Sequence, residues 1–258
     1  MLTSPSTPTG PAATPAPTAP AVPASPEPSP VASTARRLLA ECLGTGVLTT
    51  VVVGSGIAAQ RLSPDDVGLQ LLESSVATAL GLAAVILMVG PVSGAHLNPV
   101  VSACACTLGR RGRHGLSVAA AGGYAVAQLT GAVGGALLAN AMYDVPIALA
   151  TTERSGAGLW LGEVVATAGL VLLVAALVRT GRAALAAPAV AAYIGAAYWF
   201  TSSTAFANPA VTVGRMFTDT FAGIAPASVL PFVAAQVAGG ALGAIVARVL
   251  YPVEGDVS

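Results

Sequence analysis

The sequence predicts an all-α membrane protein with six transmembrane helices and two re-entrant half-helices, arranged as an inverted repeat of three plus three spans. Three observations carry this. The composition suits a chain immersed in lipid: 55% of the 258 residues are apolar, 9% are charged, and the mean hydropathy is +0.78. Two short stretches, SGAHLNPVVSAC (residues 93–104) and TAFANPAVTVGRMF (residues 204–217), each contain Asn followed by Pro. Paired motifs of the first half also return in the second half in the same order.

Residues 1–34 are dominated by Pro, Ala, Ser and Thr, with Glu27 as the one acid. Such a stretch cannot bury a core and lacks the basic, apolar and cleavage regions of a signal peptide, so a disordered cytoplasmic tail is expected. The membrane domain is then 35–251. Apolar runs long enough to span lie at 36–59, 69–91, 116–142, 159–178, 183–200 and 227–250. The half-helices begin at Asn98 and Asn208. Asn accepts a backbone N–H at an N-cap, and Pro at the first helical position loses no needed donor. The second stretch has about ten residues before Asp219, roughly 15 Å of helix, which is about half the hydrocarbon thickness. The first ends at the basic cluster Arg110, Arg111 and Arg113, with His114 expected in solvent beside it.

All eleven basic residues are Arg. With the N-terminus inside, Arg36, Arg37, Arg110, Arg111, Arg113, Arg179, Arg182 and Arg248 fall on the cytoplasmic side, and Arg61, Arg154 and Arg215 outside, which satisfies the positive-inside bias. Both termini are then cytoplasmic, the expected location is the plasma membrane, and the half-helices enter from opposite faces to meet cap to cap.

The two halves read as one duplicated unit, with repeat one at about 36–142 and repeat two at about 156–250. AECLGTG (40–46) matches GEVVATA (162–168), and AQLTGA (127–132) matches AQVAGG (235–240). Glu41 and Glu163, Asn98 and Asn208, and Gln128 and Gln236 lie 122, 110 and 108 residues apart. Three spans per unit is odd, so the copies have opposite topology.

Asn caps at membrane depth are tolerated only where they are buried or line a polar cavity. Two positive half-helix ends facing one point disfavour cations and favour oxygen acceptors, with the Asn98 and Asn208 amides as donors. The backbone before each cap, 93–97 and 203–207, would offer carbonyls to the solute. This describes a pore for neutral, hydrogen-bonding solutes.

SGAHLNP, the second NPA, the paired Glu and Gln and the six-span inverted repeat together resemble the aquaporin and glycerol-channel (major intrinsic protein) family, over about residues 36–250. The resemblance implies a right-handed helix bundle, a homotetramer with one pore per subunit, and pore signatures Asn98-Pro99-Val100 and Asn208-Pro209-Ala210. It also implies a cytoplasmic-side pore lining at His96, and Glu41 and Glu163 fixing the re-entrant loops. For His96 the alternative is a packing histidine. For the two Glu it is proton carriage, which would make the protein a proton-coupled secondary transporter. Gln128 and Gln236 read as interhelical glue.

Two positions depart from the family pattern, and only the second bears on the solute, since the first varies within the family. Val100 stands where Ala is usual. Val211 stands directly after the second NPA, where the family normally places the Arg of its narrow outer constriction. By spacing, the other constriction positions fall at Thr78 or Leu80, near Ala196, and at Ala205, all small or aliphatic. Losing the Arg widens the aperture, and some bacterial relatives that lack it are associated with arsenic resistance. Expected solutes are therefore glycerol-like polyols and metalloid hydroxides such as arsenous acid, with water alongside them. Arg215, one turn beyond Val211, is either a displaced mouth charge or an Arg paired with Asp219 or solvent.

The remaining features read as structural. Cys42, Cys104 and Cys106 form no disulfide framework, and packing is weighed there against a soft-metal role. Tyr198, Trp199 and Phe200 read as an interfacial belt. No nucleophile–base constellation, phosphate loop or metal cluster points to an enzyme, a cofactor or a metal, and near-zero net charge gives no reason to expect nucleic acid. A structural or adhesion role would require an occluded pore.

Overall fold

The computed structural model describes residues 32–109 and 116–252. The tail up to residue 31 and the cluster from Arg110 to His114 lie outside the described residues. Eight α-helices follow in order among the described residues: α1 Thr34–Leu62, α2 Val67–Ser93, α3 Pro99–Gly109, α4 Val118–Met142, α5 Ala157–Arg179, α6 Ala186–Phe200, α7 Pro209–Gly214 and α8 Pro226–Leu250. Six helical segments are long and apolar enough to cross a membrane; the short turn Ala183–Leu185 extends α6 to spanning length. α3 and α7 are the two half-helices.

Local sequence sets the boundaries. Ser33 caps α1 by accepting from the Arg36 amide, so helix begins inside the stretch expected to be tail. Asp66 and Ser117 cap α2 and α4 in the same way. α2 stops at Gly94, which takes the left-handed conformation (φ 91°) that favours glycine. α7 runs only six residues before tightening into the 3-10 turn Arg215–Phe217, shorter than the sequence suggested.

The packing repeats between halves. α1 lies chiefly on α4, and α5 chiefly on α8. Both crossings are built from glycines four apart: a Cβ on Gly131 or Gly135 would run into the Cys42 or Gly46 carbonyl, and one on Gly239 or Gly243 into the Val164 or Ala168 carbonyl. Small residues at this spacing let helix backbones touch in lipid, where burial of apolar surface no longer drives association. Each half-helix also packs on the last helix of the other repeat, α3 on α8 and α7 on α4. The repeats are interlocked, and the half-helix tips meet in the interior.

Candidate functional site

The half-helices are joined at their caps. Asn98 Nδ2 donates to Ala207 O and Asn208 Nδ2 donates to Leu97 O, each at 2.7 Å. Each Asn also caps its own helix: Asn98 Oδ1 accepts from Val100 N, and Asn208 Oδ1 accepts from Ala210 N and Val211 N. One hydrogen of each side-chain amide is thereby committed and the other is free to face the cavity that both residues line.

The chain reaching each cap is strained. Ala95, Leu97, Thr204, Ala205 and Ala207 all have positive φ, between 47° and 60°. Non-glycine residues occupy that region at a cost of about 1–3 kcal/mol each, and persist only where the surroundings enforce it. Alternating conformations of this kind turn carbonyls to one side. The carbonyls of Ala95, His96, Ala205 and Phe206 accept no hydrogen bond from the described protein groups, and all four residues line the cavity.

The enforcement comes from two carboxylates, fully buried at 0% exposure. Glu41 accepts from His96 N, Leu97 N, Ser93 Oγ and Gln128 Nε2 at 2.6–3.0 Å. Glu163 accepts from Phe206 N, Ala207 N and Gln236 Nε2 at 2.6–2.9 Å. Gln128 also donates to Ser102 Oγ, and Gln236 to Thr212 Oγ1, which ties each loop to the half-helix that follows it. Even the unsatisfied atoms correspond: Gln128 Oε1 matches Gln236 Oε1, and Thr45 Oγ1 matches Thr167 Oγ1. Neither carboxylate lines the cavity.

That cavity has a volume of about 1010 Å³. Its walls include Ala183 at the α5–α6 turn and Tyr198 near the far end of α6, so it extends along the length of α6. His96 lines it; the His96 ring contacts Ser102 Oγ through Nδ1 at 3.1 Å and meets the Tyr124 ring edge-on. Cys104 also faces it, while Cys106 is buried. A second cavity of about 120 Å³, lined by Ser74, Arg154, Thr204 and Phe221, shares Val52, Tyr198 and Arg215 with the first. Those three residues form the wall that the two cavities share.

The outer end differs from the expectation at several positions. Thr78, Ala205 and Val211 line the main cavity. Leu80 does not: it is 68% exposed on the outside of α2, two residues and therefore about 200° around the helix from Thr78. Ala196 is likewise exposed, and Ile194 and Tyr198 on the opposite side of α6 line the cavity instead. Tyr198 is no belt residue. It is 6% exposed and its hydroxyl lies 3.1 Å from Thr78 Oγ1, whereas its neighbours Trp199 and Phe200 are exposed.

Arg215 does not pair with Asp219 and is largely withdrawn from the surface. Asp219 accepts from Thr151 N and Oγ1, and Arg215 is 5% exposed, with Nε donating to Ala222 O and the guanidinium stacked 3.4 Å from the centre of the Phe206 ring. Its amide donates to Val211 O, which sets it one turn beyond Val211. Arg154 reaches the same ring from the 143–156 loop, 5.2 Å from its centre. Phe206 and Arg154 carried no signal in the sequence, because aromatic and basic residues in loops are common and nothing in their spacing marks them as neighbours.

The Major intrinsic protein family profile matches residues 29–202. Among curated proteins the chain is similar to the aquaglyceroporin AqpS of Rhizobium meliloti (strain 1021), 44% identical over 79% of this chain and 85% of that protein. It is also similar to the propanediol uptake facilitator PduF of Citrobacter freundii, 33% identical over 43% of this chain and 38% of that one. Among solved structures, the aquaglyceroporin from Plasmodium falciparum superposes with a TM-score of 0.65 at 22% identity, covering 85% of this chain and 98% of that one, a likeness of fold.

Proposed function

The chain belongs to the major intrinsic protein family and is a passive channel for small neutral solutes such as glycerol; we propose that these pass between Asn98 and Asn208, and that they include metalloid hydroxides such as arsenous acid. The observation that carries this reading is Val211, an aliphatic side chain on the cavity wall. Thr78, Ile194, Tyr198 and Ala205 line the same cavity and add hydroxyl and aliphatic surface, while Arg215 follows one helical turn, about 6 Å, beyond Val211. A polyol or arsenous acid has hydroxyls for the free Asn hydrogens and the loop carbonyls, and a body for which Val in place of Arg at position 211 leaves more room. Water passes with them.

In this reading residues 35–251 are the channel domain, four copies assemble in the plasma membrane, each with its own pore, and both termini are cytoplasmic. The rival proton-coupled transporter finds no support in the geometry. Glu41 and Glu163 stand behind the loops with their oxygens engaged by backbone amides, away from the cavity.

Stopped-flow light scattering of proteoliposomes tests the reading, comparing water efflux with glycerol and arsenous acid uptake for the native protein and Val211→Arg. The expected result is saturable-free, rapid solute uptake that falls at least tenfold in the variant while water flux persists. Solute uptake unchanged by the substitution would place the size filter elsewhere.

A further inference from the structure

We propose that the second cavity is a binding site for a small oxyanion, held between the guanidinium groups of Arg154 and Arg215. Both arginines line the 120 Å³ cavity and both lie over the Phe206 ring, at 5.2 and 3.4 Å from its centre. They are positioned by one short stretch of backbone. Arg215 Nε donates to Ala222 O, and Arg154 donates through Nε to Gly223 O and through Nη2 to Phe221 O. The Arg154 amide is itself fixed by Ser228 Oγ at 2.9 Å.

These bonds leave donors over. Both terminal nitrogens of Arg215 and Nη1 of Arg154 bond no described protein group, and none of them is fully buried. Arg215 is 5% exposed, so its unpaired fork is held inside the protein, at the wall that the two cavities share. Two like charges brought onto one ring repel each other, and the π-face compensates only part of that. Neither guanidinium is ion-paired among the described residues: the Glu163 carboxylate is engaged by Phe206 N, Ala207 N and Gln236, and Asp219 by Thr151. What the arrangement lacks is a negative charge with several acceptor oxygens, because a guanidinium fork binds such groups in parallel hydrogen bonds. The hydroxyl of Thr204, free of protein partners, and that of Ser74, 3.3 Å from Ser55 Oγ, add neutral donors at the same cavity. The ligand class is a small tetrahedral or planar oxyanion. A bound oxyanion stands directly outside the wall formed by Tyr198 and Arg215, over the mouth of the pore.

The test is calorimetric titration of the full-length protein in lipid nanodiscs with sodium phosphate, at constant sodium chloride and against empty nanodiscs. Saturable binding of one phosphate per chain is expected, weakened at least tenfold by Arg215→Gln and by Arg154→Gln. A weakening of a few-fold is expected for Arg215→Lys, which keeps the charge but not the fork. Should Arg154→Gln fail to fold, because that side chain also ties down the 221–223 backbone, Arg215→Gln and Ser74→Ala decide, the latter with a two- to fivefold loss. No saturable heat with phosphate, equal binding in Arg215→Gln, or displacement by equimolar chloride would overturn the proposal. Binding is read without flux, so a protein that conducts glycerol but binds no phosphate loses this site alone, and one that binds phosphate without conducting keeps it.

Discussion

Asn98 and Asn208 hold each other's loops: each side-chain amide donates at 2.7 Å to the carbonyl immediately before the other's cap. The link makes the two re-entrant segments one unit, although they are 110 residues apart in the chain. Removing either side chain deletes a helix cap, worth about 0.5–2 kcal/mol, and leaves a buried carbonyl unpaired at about 1–3 kcal/mol. Asn98→Ala and Asn208→Ala are each expected to lower unfolding stability by about 2–4 kcal/mol. In the double variant the losses should add to less than their sum by about 1 kcal/mol or more, because the second bond is poorly aligned once the first is gone. Denaturant unfolding of all four proteins in one detergent measures the coupling, and strict additivity would show the two caps to be independent.

Glu41 and Glu163 are the supports behind those caps, and their near-identical surroundings predict near-identical behaviour. A Gln at either site turns an –NH2 toward backbone amides that need an acceptor, leaving at least one donor unsatisfied at about 1–3 kcal/mol. Glu41→Gln and Glu163→Gln should both lower the thermal midpoint, by about 2–4 °C per kcal/mol for a chain of this size. Any solute flux lost should track the fraction of misfolded protein. A variant with an unchanged midpoint that conducts glycerol downhill yet abolishes a proton-driven component would instead revive the transporter reading.

The glycines of α4 separate packing from propensity. Gly131 faces the Cys42 carbonyl with no room for a Cβ, whereas Gly134, three residues on, has nothing within 4 Å and is exposed. Gly131→Val should prevent the α1–α4 crossing and abolish recovery of folded protein. Gly134→Ala should be neutral or stabilising by up to about 1 kcal/mol from helix propensity. Size-exclusion profiles and thermal unfolding of the two variants report both effects, and comparable behaviour would contradict the close approach.

The six spans, the two Asn-Pro half-helices and the inverted repeat were legible because each rests on local rules: apolar length, caps, and recurrence of Glu, Asn and Gln at similar offsets. The end of the cavity near Tyr198 was not. Its residues come from α1, α2, α6, the 143–156 loop and the second re-entrant segment, and which face of α6 turns inward depends on how that helix is rotated against α2, which no spacing within one helix records. Spacing alone therefore puts Ala196 inward and Tyr198 outward, whereas Ala196 is exposed and Tyr198 is buried, unlike the two aromatic residues Trp199 and Phe200 that follow it and do face out. Arg215 was readable as a charge one turn beyond Val211, but its partner was not, since Phe206 and Ala222 approach it only through the tertiary path of the loop.

The choice between Thr78 and Leu80 gives a direct test of that outer geometry. Thr78 is 2% exposed, touches the Tyr198 hydroxyl and lines the main cavity, while Leu80 is 68% exposed on the opposite side of α2. An indole at position 78 would project into the cavity at the level of Val211 and Ala205; at position 80 it would join the outward-facing apolar surface. Thr78→Trp should cut glycerol uptake by about tenfold or more while leaving water flux less affected, because the aperture narrows below the polyol's width. Leu80→Trp should leave both fluxes within about twofold of native, since an exposed apolar side chain exchanges for another with little effect on the fold. Stopped-flow uptake into proteoliposomes, normalised to the amount of protein inserted, distinguishes them. A block from position 80 with none from position 78 would mean that α2 is rotated by about half a turn from the arrangement described, and the assignment of Tyr198 to the pore wall would fall with it.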